Sequence, residues 1–487
     1  MILPFLWPFI WVAPVPFLFA IFSQTHTATR KQALYAGALF GFTLNLAVSA
    51  SAWSAYPLDW IGIPNPYASL LIIASVSMGS SLCMGVAHAL LALCVYEVRT
   101  RIHSVVPLIT TLPFLWVTAE WLQAVLYSIY ALGPTSTVQA FSQVASVGYA
   151  LGHASNPVWI ALARFGDTPL LSAFPVLVSS CLALALCFRR DRRRFVFALV
   201  GAGSVFVVFL GSSALALHTA ELSRGMTLAW GTTDSLIFVV GKTDFPAQYV
   251  QTPDVLVARN DIVYTVAKEL RAKDISPDVV IMPETVGNWL DDDNYTRISK
   301  LFPEEMLLVH SKYGYGNPRT AQTYSHVIGG DTFVTDKQFL MPYGEYPPYH
   351  FLVLLKTLSP AIYANILAHR EYVSGTREEM GHAQGVRIGV RLCSEIYASQ
   401  LFHSLAKNGA GVLVQSSSIQ LFEGTPVLQW TMRSAARIRA VENGLPLVQV
   451  MNGAPSSAFD CTGKELSPLL TTTNFDVYEI ARTDVCR

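Results

Sequence analysis

Residues 387–393 read RIGVRLC, an apolar strand pattern that ends on a cysteine. Similar short runs of Val, Ile, Leu and Met occur at 226–230 (MTLAW), 278–282 (DVVIM), 306–310 (MLLVH), 411–415 (GVLVQ) and 446–451 (PLVQVM). Helical patterns cover 257–273, 396–407 and 427–443. Short apolar strands separated by helices are typical of a layered α/β domain. The sequence therefore predicts such a domain over residues 219–487.

The residues before this domain have a different composition. Residues 1–218 hold only 10 of the 33 basic and 5 of the 33 acidic residues. Over the whole chain 14% of residues are charged and the mean hydropathy is +0.40, whereas a soluble domain has about 25% charged residues. This composition excludes a soluble cytosolic enzyme and a disordered chain. The net charge of zero argues against nucleic-acid binding, which requires a basic surplus.

Several N-terminal stretches are long and apolar enough to cross a membrane, which takes about 20 residues. The six predicted spans are 3–22, 32–53, 68–96, 105–130, 168–188 and 195–218. The first is interpreted as a retained span or a tight re-entrant pair, because it lacks a cleavage-site pattern. The sequence therefore predicts a transmembrane helical domain of about six spans over residues 1–218.

Basic residues in the short loops predict the orientation of these spans. They cluster at Arg30-Lys31, at Arg99 and Arg101, and at 189–194, whereas the alternate loops 54–67 and 131–167 carry only Arg164. Because Lys and Arg collect in cytoplasmic loops, the chain leaves the membrane on the outer side after residue 218. The α/β domain is therefore expected outside the cytoplasm.

Two polar residues within the predicted spans and the cysteines allow more than one interpretation. Glu120 is either a functional intramembrane carboxylate or a residue at the outer interface beside Trp121, and His88 is expected to pack inside the helices. The sequence contains no CxxC or Cys/His cluster, so no metal site is expected. A disulfide between Cys461 and Cys486 stays open, because spacing alone does not reveal pairing.

Reactive side chains follow three of the predicted strands or turns. Glu284 ends DVVIMPE, Cys393 ends RIGVRLC, and Lys337 lies eight residues before Glu345. A thiol requires a base at neutral pH, a carboxylate can be that base, and a lysine can stabilise the negative charge on a carbonyl oxygen. On spacing alone, unrelated strand-end residues with an inert thiol are the simpler interpretation.

The sequence around these residues resembles a known family. The segments MPETVGNW (282–289), DKQFLMPYGEYPP (336–348) and GVRLCSEIY (389–397) resemble the nitrilase, or carbon–nitrogen hydrolase, superfamily. With a membrane domain in front, the chain resembles its integral membrane branch, the apolipoprotein N-acyltransferases. The segment 437–464, RIRAVENGLPLVQVMNGAPSSAFDCTGK, extends the likeness. The resemblance implies a nitrilase-like α-β-β-α sandwich for 219–487.

The resemblance also implies a reaction. Glu284 would be the general base, Lys337 the oxyanion stabiliser and Cys393 the nucleophile, with Glu345 and Glu395 in support. The thiol would take an acyl chain from a phospholipid as a thioester. The acceptor would be the N-terminal amine of a lipoprotein's diacylglyceryl-cysteine. Neither a metal nor an organic cofactor is implied, and the expected location is a bacterial inner membrane with the catalytic domain on the periplasmic side.

Departures from the family pattern leave alternatives open. Ser394 stands where the family usually has tyrosine, and SSSIQLFEG (416–424) replaces a serine-asparagine-aspartate and tryptophan-phenylalanine-glycine stretch. No counterpart of the family's final membrane helix is expected before Arg487. A divergent amidase or acyltransferase with another substrate, and a non-catalytic membrane assembly or transfer factor, are therefore alternatives. The apolar stretch 349–367 is interpreted as an arm that enters the membrane interface or as a helix packed on the domain.

Overall fold

A computed structural model of the chain describes residues 4–23, 29–61, 63, 65–101, 106–138, 146–224, 234–245, 253–284, 296, 299–313, 320–369, 372–420 and 425–486. The predicted strand 226–230 and parts of two quoted segments, 285–289 and 421–424, lie outside the described residues. The described residues form two compact units: the first comprises Met1–Ser54, Leu70–Leu132 and Thr137–Leu217, and the second Ala55–Ser69, Gly133–Ser136 and His218–Arg487.

Six α-helices begin within the described N-terminal residues. They are α1 (Val15–Ser23), α2 (Arg30–Val48), α3 (Pro66–Arg101), α4 (Val106–Tyr130), α5 (Ala163–Cys187) and α6 (Arg192–Leu222). Within the described part of the chain, five helical segments are long and apolar enough to span a membrane: Phe5–Ser23, Pro66–Arg101, Pro107–Tyr130, Ala163–Cys187 and Arg192–Leu222. The second predicted span forms α2, which is not among these five, so the count of six stays a prediction.

The two polar residues noted within the predicted spans are buried in the helical unit. Glu120 in α4 accepts hydrogen bonds from the Val147 backbone N–H at 2.9 Å, the Trp116 indole at 3.2 Å and the Ser172 hydroxyl at 3.2 Å. This carboxylate therefore ties α4 to α5 and to the segment at 147. His88 is buried against the rings of Phe17, Phe40 and Trp116, which agrees with the predicted packing role.

The strands of the second unit are β1 (Ser235–Gly241), β2 (Val279–Ile281), β3 (Leu307–Tyr313), β4 (Ala321–Val327), β5 (Thr332–Asp336), β6 (Gly381–Ala383), β7 (Val386–Leu392), β8 (Val412–Ser418), β9 (Leu447–Asn452), β10 (Ser457–Phe459), β11 (Glu465–Leu466), β12 (Leu470–Thr471) and β13 (Phe475–Ala481). Among the described residues they form two mixed β-sheets. One has the strand order β12-β13-β1-β2-β3-β4-β5 and the other β11-β10-β9-β8-β7-β6. Five of the predicted strands correspond to β2, β3, β7, β8 and β9.

Helices cover the outer face of each sheet. The remaining helices are α7 (Pro253–Ala272), α8 (Tyr349–Leu358), α9 (Pro360–His369), α10 (Ser399–Lys407) and α11 (Pro426–Asn443). α7 packs Val266 and Leu270 against Val280 of β2 and Leu308 of β3. α10 lies on β7, where a side chain at Gly389 would approach Leu405 to 3.1 Å. The order helix, sheet, sheet, helix confirms the predicted sandwich.

The two sheets approach each other closely because one position is glycine. A Cβ atom at Gly381 in β6 would lie 2.8 Å from Leu307 of β3 and 2.8 Å from Ser325 of β4. Real Cβ contacts are essentially never this short, so a larger residue would separate the sheets.

A disulfide closes the end of the second unit. Cys461 and Cys486 are bonded, with 5.6 Å between their Cα atoms and a sequence separation of 25. Ala220 packs against Cys461 and Cys486. Arg224 forms an ion pair with buried Asp460 at 2.6 Å. The disulfide therefore ties the C-terminal segment to a cluster that includes the end of α6.

We expect the Cys461→Ser/Cys486→Ser variant to unfold at a lower temperature, because a disulfide closing a loop of this size contributes about 3 kcal/mol. Thermal unfolding of the detergent-solubilised protein measures this difference. Reductant should lower the unfolding temperature of the wild type but not that of the double variant. Equal sensitivity of both proteins to reductant would contradict a disulfide at this position.

Candidate active site

Strand direction explains why distant parts of the chain meet. β2 runs parallel to β3, β3 runs antiparallel to β4, and β4 runs antiparallel to β5. β2 and β5 therefore point the same way, and the residues that follow them, Glu284 and Lys337, leave from the same edge of the sheet. Cys393 directly follows β7 of the other sheet. The sandwich thus brings three separate strand ends together.

Lys337 is at the centre of the resulting cluster. Its Nζ lies 2.5 Å from Oε1 of Glu345 and 3.6 Å from Oε1 of Glu284. The Lys337 side chain is 1% exposed and the Glu284 side chain 2%. An unpaired charge at this depth would be strongly unfavourable, whereas a lysine between two carboxylates is compensated. The three side chains therefore form one buried ionic unit.

The charges determine the protonation states in the cluster. Burial alone would lower the pKa of Lys337, but the adjacent carboxylate of Glu345 raises it well above the ordinary lysine value, so Lys337 is a cation. Burial raises the pKa of Glu345, while the charge of Lys337 acts in the opposite direction. Burial, and next the carboxylate of Glu284, raise the pKa of Cys393 above that of an ordinary thiol. Cys393 is therefore a neutral thiol at neutral pH, hydrogen-bonded to Glu284.

Cys393 lies at a sharp turn in the backbone. Its φ is +46°, in the left-handed region that non-glycine residues rarely adopt, and a 3-10 helix, Cys393–Tyr397, begins there. The Gln415 side-chain amide donates to the Cys393 carbonyl at 3.2 Å, and the Ser394 hydroxyl donates to the Phe339 carbonyl at 3.2 Å. These contacts hold a strained turn, as is common at functional sites.

Glu395 connects the cysteine turn to the lysine segment. One carboxylate oxygen accepts from the backbone N–H of Gln338 at 2.7 Å, and the other accepts from the backbone N–H of Leu392 at 2.8 Å. Gln338 follows Lys337, and Leu392 precedes Cys393. Buried Glu395 therefore fixes the distance between the cation and the thiol without itself touching either group's functional atoms.

The residues after Glu345 form a wall beside the cluster. Tyr346 is buried, and burial is the main cause that raises its pKa to about 12. The loop residue Gly133 packs against it so closely that a Cβ there would lie 2.8 Å from the Tyr346 ring. α8 follows directly, burying Leu355 while exposing Val353, whose relative exposure is 67%. The apolar stretch 349–367 thus forms two short helices, α8 and α9, and α8 has one buried and one exposed apolar side.

The structure brings together all five residues that the sequence singled out: Glu284, Lys337, Glu345 and Cys393 in the cluster and Glu395 beside it. Sequence reasoning missed the groups that hold them, which include Gln415, Ser416 and the backbone N–H of Ser418. Their only signal in the sequence was a polar end, QSSS, on the otherwise apolar strand β8. Among the described residues, no group of three or more His, Cys, Asp or Glu side chains is arranged to bind a metal ion.

Comparison with known proteins gives matches on both parts of the chain. The family model of the apolipoprotein N-acyltransferase N-terminal domain matches residues 1–181. The apolipoprotein N-acyltransferase of Allorhizobium ampelinum is 24% identical over 351 residues, which cover 69% of this chain and 63% of that protein. The enzyme of the same name from Rhizobium leguminosarum is 26% identical over 213 residues, 41% of this chain and 39% of that protein. The chain thus spans less than two thirds of the length of these relatives.

Two solved structures are also similar to part of the chain. An amidase from Nesterenkonia sp. is 15% identical, with 51% of this chain and 91% of that chain covered and a TM-score of 0.35. A member of branch 10 of the nitrilase superfamily from Saccharomyces cerevisiae is 14% identical, with 51% and 91% covered and a TM-score of 0.36.

The charges around Cys393 predict opposite pH shifts for two substitutions. Glu345→Gln removes a negative charge that raises the pKa of Cys393, so alkylation of this thiol by iodoacetamide should reach its midpoint at a lower pH than in the wild type. Lys337→Met removes the cation that lowers this pKa, so the midpoint should move to a higher pH. Mass spectrometry of the Cys393 peptide measures both rates. Shifts in the same direction for both variants would contradict the assigned charges.

Proposed function

We propose that this chain, which is similar to the apolipoprotein N-acyltransferases, transfers an acyl chain from a phospholipid to the N-terminal amine of a diacylglyceryl-cysteine lipoprotein. The observation that carries this proposal is the buried cluster of a lysine, two carboxylates and a thiol. This set of groups is suited to forming and breaking a thioester.

In the first step Glu284 removes the proton from the Cys393 thiol as the sulfur attacks the ester carbonyl of the phospholipid. The carbonyl oxygen becomes negatively charged, and Lys337 stabilises it by donating a hydrogen bond. When the intermediate collapses, the ester oxygen leaves and takes the proton from Glu284. The products are a lysophospholipid and an acyl thioester on Cys393.

In the second step the α-amine of the lipoprotein attacks the thioester carbonyl. Glu284 accepts a proton from the amine, Lys337 again stabilises the oxyanion, and the Cys393 thiolate leaves. The thiolate then takes the proton back from Glu284. The amide product is released and the thiol is restored, so no external oxidant, metal or cofactor takes part.

Glu345 is proposed to keep Lys337 in place. Its Oε1 contacts the Lys337 ammonium, and its Oε2 accepts from the Met341 backbone N–H at 2.7 Å. A lysine side chain has several rotatable bonds, so a fixed partner reduces the entropy lost in the transition state. Glu345 therefore acts on the reaction through the lysine.

The lipid substrates require a site next to the membrane. Each CH₂ of an acyl chain gains about 0.8 kcal/mol by staying out of water, so moving a whole lipid to a distant site would be unfavourable. Five segments suited to spanning a membrane and the exposed apolar side of α8 support a location at the bilayer. The basic loops and the Cys461–Cys486 disulfide support an outer, oxidising side of a bacterial inner membrane.

A second candidate function has the same first step and a different acceptor. The segment 416–424 departs from the family pattern, and Ile419 is fully buried within it. If this segment contacts the acceptor, its change favours another amine or water as the acceptor of the acyl group. The protein would then be a different acyltransferase or an amidase. A non-catalytic assembly or transfer factor is disfavoured, because the compensated cluster around Lys337 is complete.

We expect incubation with phospholipid vesicles to leave one acyl group on Cys393, and intact-mass measurement detects it. Cys393→Ala should carry no acyl group, whereas Cys187→Ala should be labelled like the wild type. Adding a diacylated lipopeptide should then discharge the acyl group to its amine. Discharge to water alone would favour the second function, and a folded wild type without any adduct would reject both.

We expect Glu284→Gln and Lys337→Met each to reduce the rate of adduct formation by about 10²-fold or more, since each removes a group that acts in the transition state. Glu304→Gln and Lys464→Met change the same charges at exposed positions and serve as matched controls. Labelling at the wild-type rate in either cluster variant would contradict the assigned role of that residue.

A further inference from the structure

The last residues of β8 are polar although they lie inside the sandwich. Gln415, Ser416 and Ser417 are each 1% exposed or less. Side chains alternate between the two faces of a strand, so Gln415 and Ser417 point to one face and Ser416 to the other. Most buried polar groups in proteins are hydrogen-bonded. Their bonds therefore indicate what this part of the strand does.

Ser416 connects the two sheets. Its hydroxyl donates to the Met282 carbonyl at 3.2 Å, which crosses from β8 in one sheet to the segment after β2 in the other. Met282 is two residues before Glu284, and its own backbone N–H donates to Val309 of β3 at 2.9 Å. The Ser416 hydroxyl therefore acts on the short stretch that carries Glu284.

The end of β8 holds the same carboxylate directly. The Ser418 backbone N–H donates to Oε2 of Glu284 at 3.1 Å. Ser418 is in register with Asn452 of β9, whose side-chain amide donates to the Ser418 hydroxyl at 3.0 Å. Asn452 also accepts from the Phe245 backbone N–H at 2.8 Å, beyond the end of β1. The end of β8 is thus held by Asn452 through the Ser418 hydroxyl, while the Ser418 backbone N–H holds Glu284.

The same strand also holds the nucleophile, through the bond from Gln415 to the Cys393 carbonyl. Gln415, which contacts the Cys393 carbonyl, and Ser418, which contacts the Glu284 carboxylate, are therefore only three residues apart on β8. The distance for proton transfer between Cys393 and Glu284 is set by how β8 lies against the other sheet.

We propose that Ser416 is a positioning residue: its hydroxyl, bonded across the sheets to Met282, holds Glu284 opposite Cys393 for proton transfer. This proposal rests on the proposed function for its catalytic consequence. It assigns a role to a side chain that touches neither substrate nor reacting atoms. A displacement of Glu284 by about 1 Å is enough to reduce the rate by up to about 10²-fold.

The test compares side chains of equal shape at position 416. Thr and Val have nearly the same shape, but Thr has a hydroxyl where Val has a methyl group. S416T therefore retains the donor to Met282, whereas S416V lacks it at nearly the same side-chain volume. S416A is a third variant. Ser417→Ala is the matched control, because Ser417 is equally buried in the same strand and donates, at 3.4 Å, within its own sheet to Val450.

Single-turnover acylation of Cys393 by phospholipid gives the first measurement. S416V and S416A should acylate about tenfold more slowly at saturating phospholipid, with an unchanged half-saturating concentration, because the base and not the lipid site is displaced. S416T and Ser417→Ala should remain within about twofold of the wild type. Equal rates for S416T and S416V, or an equal loss in Ser417→Ala, would overturn the proposal.

Alkylation of Cys393 by iodoacetamide gives a second measurement that needs no lipid. Moving the Glu284 carboxylate away from the thiol removes a negative charge, so the alkylation midpoint should shift to lower pH in S416V, as in Glu284→Gln, and stay unchanged in Ser417→Ala. If the wild type forms no acyl adduct, the proposed function fails while this comparison still decides the role of Ser416. An unshifted midpoint in S416V, with Glu284→Gln shifted, would overturn it.

Discussion

The site depends on the ion pairs that the buried ammonium of Lys337 forms with Glu345 and Glu284. A lysine with 1% of its side chain exposed is tolerated only because Glu345 lies 2.5 Å and Glu284 3.6 Å from its nitrogen. In the proposed reaction Lys337 would stabilise the developing oxyanion. Burial, and next the carboxylate of Glu284, raise the pKa of the Cys393 thiol, so it would stay protonated until a carbonyl arrives. Removing one member leaves an uncompensated charge, so stability and reactivity are coupled at this point.

The sandwich supplies the geometry that this cluster requires. β2 and β5 end at one edge of the first sheet, and β7 of the second sheet ends facing them. Glycine at 381 allows the sheets to approach, and hydrogen bonds from Ser416 and Glu395 then fix the strand ends relative to each other. The reactive side chains therefore depend on groups in both sheets.

Much of this arrangement could be predicted from the sequence, and the reasons are specific. Apart from Arg387 and Arg391, RIGVRLC is apolar, and DVVIM is apolar after its first residue. This pattern arises because β7 and β2 are covered by a helix layer and by the other sheet, and it predicts both strands. β4, AQTYSHV, buries only every second residue, and its polar residues do not form an apolar run that would predict a strand. The resemblance identified Glu284, Lys337, Glu345, Cys393 and Glu395, whereas spacing alone did not favour a site. The roles of Ser416 and Gln415 depend on cross-sheet pairing, which a local pattern does not contain.

If Cys393 carries the acyl chain between two substrates, the amount of lysophospholipid released per protein molecule will show it. With phospholipid alone, we expect a rapid release of one lysophospholipid per protein molecule, followed by no further release until a diacylated lipopeptide is added. Continuous release without the lipopeptide, or no release at all from folded protein, would contradict it.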